Sequence, residues 1–325
     1  MFGSNSRGRP ALRAKSSADD QAMRLFVLVI GAYLVVALAM PLYAMLSKSM
    51  LNSDGSFTGF TNYVAYFQTP ALVYSIKNSL FVGVLTTSIT VTIAFLLAYA
   101  LTRSRMPAKP VFKTVAMIPI LVPSLLPGIA LIYLFGRQGL ITGLLFGNDI
   151  YGPIGIVIAE VFFTLPHALI IITTALSIAD SRLYEAAVSL RASRVRIFFT
   201  VTIPGVRYGL ISAAFVVFTL SVTDFGAPKV IGGDFNVLAT DIYKQVIGQQ
   251  NFEMGAVVSV ILLIPAGLAF FVDRVVQKKQ VAQLSSGAVA LVPPPNRRFD
   301  NLMFAYALAV SVFVVGMLGV CQYAA

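Results

Sequence analysis

Few residues in this chain have the types that covalent chemistry requires. Among 325 residues there is one histidine, His167, and one cysteine, Cys321. A lone histidine builds neither a His-cluster metal site nor most nucleophile–base–acid triads, and a lone cysteine makes neither an intrachain disulfide nor a cysteine metal motif. No G-x-x-x-x-G-K-S/T occurs, so the chain lacks the loop that cradles nucleotide phosphates. No nucleophile, base and orienting group fall at sensible spacing. The expectation is therefore a protein that is not an enzyme, with no cofactor and no resident metal. What remains is a few ionisable residues in or beside apolar runs. Glu160 and His167 are seven apart, two helical turns, and share a face; Asp224 ends another run. At membrane depth such groups are candidates for a transport pathway. The plainer alternative makes His167 a hydrogen-bonded bundle residue and Asp224 a loop-capping group.

A second constellation lies between two apolar runs, in residues 175–209. Tyr184, Ala187, Leu190 and Ala192 follow a helical rhythm of small or apolar positions, the cluster Ile197-Phe198-Phe199 is bulky, and Pro204 punctuates the return to the apolar run. This pattern predicts one or two short helices beside the membrane with an exposed apolar patch, the usual mark of a protein partner.

The elements that must position these residues follow from composition. The chain is 58% hydrophobic and 11% charged, with a mean hydropathy of +0.84; a soluble domain carries roughly 25% charged residues. A net charge of +11 has the sign that suits nucleic acid, but the basic residues form short clusters between long apolar runs, so no nucleic-acid partner is expected. Membrane lipid is. Seven segments reach the roughly 20 apolar residues that cross a bilayer: about 25–46, 76–101, 114–136, 152–176, 208–228, 254–272 and 302–323. The third carries Pro119, Pro123 and Pro127 and must kink. The first is too long for a signal-peptide core, and no small-x-small cleavage site clearly follows it.

Basic residues orient these spans. Arg7, Arg9, Arg13, Lys15 and Arg24 precede the first; Arg103, Arg105, Lys109 and Lys113 flank the second loop. Arg182, Arg191, Arg194, Arg196 and Arg207 lie around the third inner loop, and Arg274, Lys278, Lys279, Arg297 and Arg298 follow the sixth span. Lys48, Lys77, Arg137, Lys229 and Lys244 remain for the other side. The excess places the N-terminus in the cytoplasm. The fold class is all-α, a polytopic membrane helix bundle. Its expected parts are a disordered tail over 1–23, a six-span domain over 24–276 with an inner loop over 177–207, a linker over 277–300 and a seventh helix over 301–325.

Glu185-Ala186-Ala187, with Val201-Thr202-Ile203-Pro204 placing Pro204 nineteen residues after the glutamate, resembles the EAA loop of ABC-importer inner-membrane permeases of the binding-protein-dependent type. Where that pattern has glycine, this chain has Arg191, which implies either a smoother bend or a φ that a non-glycine residue tolerates. The resemblance implies a coupling element: Glu185, Ala186, Ala187, Arg191 and Pro204 on helices that dock into a cytoplasmic ABC ATPase dimer. It also implies a periplasmic substrate-binding protein, a second permease half or subunit, and a bacterial inner-membrane location, with ATP held by the partner. The segment 224–266 is similar to permeases for 2-aminoethylphosphonate and to iron(III)-importer permeases, with the phosphonate favoured and iron(III) the alternative. The competing class is an ion-gradient-driven secondary transporter, for which Glu160 is the main coupling carboxylate on offer. Six spans, a linker and a lone seventh resemble either one half of a fused permease plus the next helix, or a seven-helix subunit.

Overall fold

The computed structural model describes residues 18–178, 180–282 and 291–324. The basic positions 7, 9, 13 and 15 and residues 283–290 of the expected linker lie outside them. The chain opens with α1 (Ala18–Lys48), α2 (Thr61–Gln68) and α3 (Pro70–Arg103). Next come α4 (Lys109–Met117), the 3-10 turn Ile118–Leu121, α5 (Leu125–Phe135) and α6 (Pro153–Ser177). The connection α7 (Ser181–Ser189), α8 (Arg194–Ile197) and a π segment (Phe198–Thr202) leads into α9 (Ile203–Thr223). Two short helices, α10 (Gly226–Ile231) and α11 (Leu238–Tyr243), precede the long α12 (Phe252–Ala282) and α13 (Arg297–Ala324). Among the described residues the extended pairing is one isolated bridge, Leu51 to Phe57.

Six helices are long and apolar enough to cross a membrane, seven if α4 and α5 count as one. Those two meet at 103°. The sharp break replaces the simple kink expected from the three prolines. Pro119 and Pro123 lack N–H donors around Val122, so the ladder stops and Leu125 starts a new helix in another direction. Helix starts also follow the sequence: Pro70 and Pro153 sit in first turns, where a missing N–H costs nothing.

The bundle is built around α6, whose most apolar window is 67% buried; that of α1 is 0% buried. One core cluster joins α3, α5, α6 and α9, including Leu97, Leu131, Phe162, Leu169 and Val217. Small residues set the closest approach: a Cβ on Gly209 of α9 would collide with the Ala175 Cβ of α6. A second cluster, with Tyr66, Leu238 and Val257, packs α2, α11 and α12 together at the far end. Lys48 and Glu253, 3.8 Å apart, tie the end of α1 to the start of α12.

Several boundaries differ from expectation. Residues 18–23, read as tail, form the first turns of α1. The expected inner loop ends early, because a continuous helical path runs from Arg194 to Thr223. The fifth span stops at Thr223, and 226–231 is a separate helix. Residues 277–282 continue α12 and 297–300 begin α13, so the described part of the linker shrinks to 291–296. Far from standing alone, α13 lies in the main core through Ala307, Val314 and Met317. Its Tyr306 hydroxyl donates to the Ile93 carbonyl (2.9 Å), and the Asp300 carboxylate accepts the Arg105 N–H (2.7 Å).

Candidate functional site

Two places gather the residues singled out from sequence. The first is the α7–α8 connection at one end of the bundle. Asp180 caps α7 by accepting the Arg182 N–H (3.1 Å). At the other end of α7 the chain reverses through a Schellman motif. The Arg191 N–H donates to the Val188 carbonyl (2.8 Å) and the Ala192 N–H to that of Ala187 (3.0 Å). Arg191 occupies the left-handed position at φ 55°. Of the two expectations for this position, the second therefore holds: the turn is as sharp as a glycine would make it, with an arginine at a φ it tolerates. Ser193 then caps α8 through the Arg196 N–H (3.3 Å).

Pro204 does not end the connection. It sits in the first turn of α9, directly after the π segment, where the Ile203 N–H reaches back five residues to the Phe198 carbonyl. A proline supplies no N–H to the preceding turn, and widening by one residue accommodates the loss. What looked like a second free helix is thus the leading turn of a spanning helix.

Glu185 and Ala186 are exposed and Ala187 half-buried. Around them stand Leu183, Val188, Leu190, Val195 and Phe199, each more than half exposed. This is an apolar surface with an acidic residue within it. The opposite face of α7 is anchored. The buried Tyr184 hydroxyl donates to Thr202 Oγ1 (3.1 Å). Arg103, at the end of α3 and only 8% exposed, donates to the Leu176 carbonyl (2.7 Å) and lies over the Tyr184 ring at 5.2 Å. Four elements, α3, α6, α7 and the root of α9, therefore converge on one arginine–tyrosine pair. Sequence reading counted Arg103 as one basic residue among many; nothing in its neighbours marks it as buried.

The second place is the layer containing Glu160. This residue is 0% exposed, and neither carboxylate oxygen accepts a hydrogen bond from an N–H or hydroxyl donor. The ionisable group beside it is the Asp224 carboxyl, not His167. The histidine, two turns further along α6, packs its ring at 5.8 Å from Phe163. The shared helix face does not bring Glu160 and His167 together; the turn after α9 brings in Asp224 instead, whose Oδ2 accepts the Ala227 N–H (2.9 Å).

At the end of the bundle opposite α7 lies a cavity of about 560 Å³, lined by Arg137, Asp149, Tyr151, Asp234 and Phe235 among others. Nearby, Asp241 of α11 is buried, and loss of hydration pushes its carboxyl above the usual range, with the Ser75 hydroxyl and Lys244 opposing.

A multi-spanning helix bundle with an anchored, outward-facing helix pair at one end is the architecture of a membrane transport component. The chain belongs to the family of binding-protein-dependent transport system inner membrane components, whose profile matches residues 90–281. It is 34% identical over 216 residues to the ferric transport system permease protein FbpB of Actinobacillus pleuropneumoniae, covering 62% of this chain and 31% of that protein. To a putative ferric transport system permease protein, FbpB 1 of Haemophilus influenzae, it is 34% identical over 215 residues, covering 62% of this chain and 33% of the relative. The chain thus spans about a third of the length of these curated relatives. In fold it is similar to a chain of a bacterial alginate ABC transporter crystallised with an alginate pentasaccharide-bound periplasmic protein. The TM-score there is 0.61 at 14% identity, over 83% of this chain and 97% of that one.

Proposed function

We propose that this chain is the permease of an ATP-driven importer, forming the translocation pathway and taking its energy from a separate ABC ATPase dimer. The observation that carries the reading is the α7–α8 surface. Glu185, Ala186 and Ala187 stand beside exposed Leu183, Val188 and Leu190 on a helix rooted in the bundle. A docked ATPase that moves α7 would pull on Tyr184, and through it on Arg103, Leu176 and Thr202, at the ends of three spanning helices. On this reading Arg191 sets the angle between α7 and α8, and Pro204 sets the register of the helix that follows. The basic clusters support a cytoplasmic position for this end and the N-terminus, on the reading that the chain lies in a bacterial inner membrane. The opposite end, with its cavity, then faces the periplasm, where a substrate-binding protein delivers cargo. The bare surface of α1 is available to lipid and to a second permease half or subunit.

For the cargo, the ferric names of the two relatives support iron(III) over 2-aminoethylphosphonate, and so does the local chemistry. A phosphonate wants a cation, whereas Glu160 faces another carboxyl. The chain reconstituted with its ATPase and binding protein should take up ferric iron only with ATP, and Glu185→Lys should abolish uptake while leaving the protein in the membrane. Uptake driven by a proton gradient without ATP would overturn the reading.

A further inference from the structure

Two carboxyl groups facing one another inside a helix bundle are an unfinished arrangement. Glu160 projects from the most buried span, and Asp224 closes on it from the turn after α9. Glu160 is fully buried and Asp224 half-buried, and two like charges so placed would repel, so the pair calls for a positive charge between them, a metal cation or a shared proton.

Other oxygen atoms without partners lie at the same level. The Thr90 and Thr164 hydroxyls meet at 3.1 Å and hold α3 and α6 in register. One turn back along each helix come Thr86 and Glu160, and the buried Thr86 Oγ1 has no partner. On α9, one turn before Asp224, the buried Ser221 Oγ has none either. Gly83 packs against Val222, which sets this part of α3 against the end of α9. A Cβ on Gly226 would meet Ser124 Oγ and Leu125 N, so the broken α4–α5 junction abuts the Asp224 turn. Interrupted helices at membrane depth expose carbonyls that can complete a cation's shell.

We propose that Glu160, Asp224, Thr86 and Ser221 form an all-oxygen site for a hard, multivalent metal cation in the translocation pathway. The donor set is anionic and lacks nitrogen and sulfur, which favours hard ions over soft ones. Among the described residues no group of three or more His, Cys, Asp or Glu assembles anywhere. Two carboxylates helped by hydroxyls bind weakly, which suits an ion that must leave again rather than a resident metal. The identification of that ion as cargo rests on the iron(III) reading above.

The test is calorimetric titration of the full chain in neutral phosphatidylcholine nanodiscs with terbium(III), a hard trivalent ion that stays soluble. Saturable binding is expected in the unaltered chain, weakened at least tenfold by Glu160→Gln and by Asp224→Asn and unchanged by Asp54→Asn at an exposed outer turn. Should either carboxyl variant fail to purify as a single species, Thr86→Val and Ser221→Ala are expected to weaken binding several-fold. Absence of saturable binding, or equal binding in all variants, overturns the site. An infrared band of a protonated carboxyl that Glu160→Gln removes and terbium(III) leaves in place would also overturn it, because a shared proton would then hold the pair. Ferric uptake by the reconstituted importer separates the two readings. Normal ATP-driven uptake with Glu160→Gln defeats the site and spares the importer, whereas metal binding here without ferric uptake spares the site and defeats the cargo.

Discussion

Tyr184 and Arg103 show how much one side-chain contact decides. In Tyr184→Phe the ring remains over the guanidinium, but the hydroxyl that joins Thr202 and Arg103 is lost. A net loss of about 1 kcal/mol is expected, read as a lower thermal midpoint in detergent. Coupled ATP hydrolysis should fall while affinity for the ATPase stays the same, because the docking face is untouched. Arg191 works in the opposite sense. A side chain at positive φ costs roughly 1–2 kcal/mol, partly offset by the flexibility a glycine adds to the unfolded chain. Arg191→Gly should therefore raise the thermal midpoint slightly and leave docking intact. Asp241 gives a pH signature. Its folded-state pKa lies above the unfolded value, so its favourable contribution is full below the unfolded pKa of about 3.8 and is lost as pH rises through the folded value. At neutral pH Asp241→Asn should stabilise the protein, and the variant should lose the gain seen on mild acidification.

At the scale of elements, the π segment and the α4–α5 break both follow from proline, yet with opposite results. Before Pro204 the helix widens and continues; between Pro119 and Pro123 it stops and turns by 103°. Neighbours make the difference, since the junction packs against the Gly226 turn, whereas the chain before Pro204 is exposed along much of its length. Pro204→Ala restores an N–H and favours an ordinary helix, turning α8 by roughly 100° about its axis. Val195 and Phe199 would then leave the docking face. The expected outcome is normal membrane insertion with loss of ATPase stimulation, measured on the reconstituted complex.

At the scale of the whole molecule, the basic residues described at one end of the bundle and the cavity at the other give it two different faces. A Cys321→Ser background allows the orientation to be read directly. An impermeant maleimide should label Val188→Cys in inside-out vesicles only, and Asp54→Cys in right-side-out vesicles only; the reverse pattern would invert the topology.

Hydropathy alone specified an all-α membrane bundle, because a helix that must satisfy its backbone in lipid needs a run of apolar residues long enough to show in one dimension. The Glu185-to-Pro204 spacing marked the connection between α6 and α9 for the same reason: a local pattern is written in consecutive residues. Packing decided the rest. Nothing in the sequence distinguished Arg103 from its basic neighbours, paired Glu160 with Asp224 rather than His167, or set α13 within the core. Those relations join residues far apart along the chain, and only the close approach of α3, α6 and α9 at small side chains brings them within reach of one another.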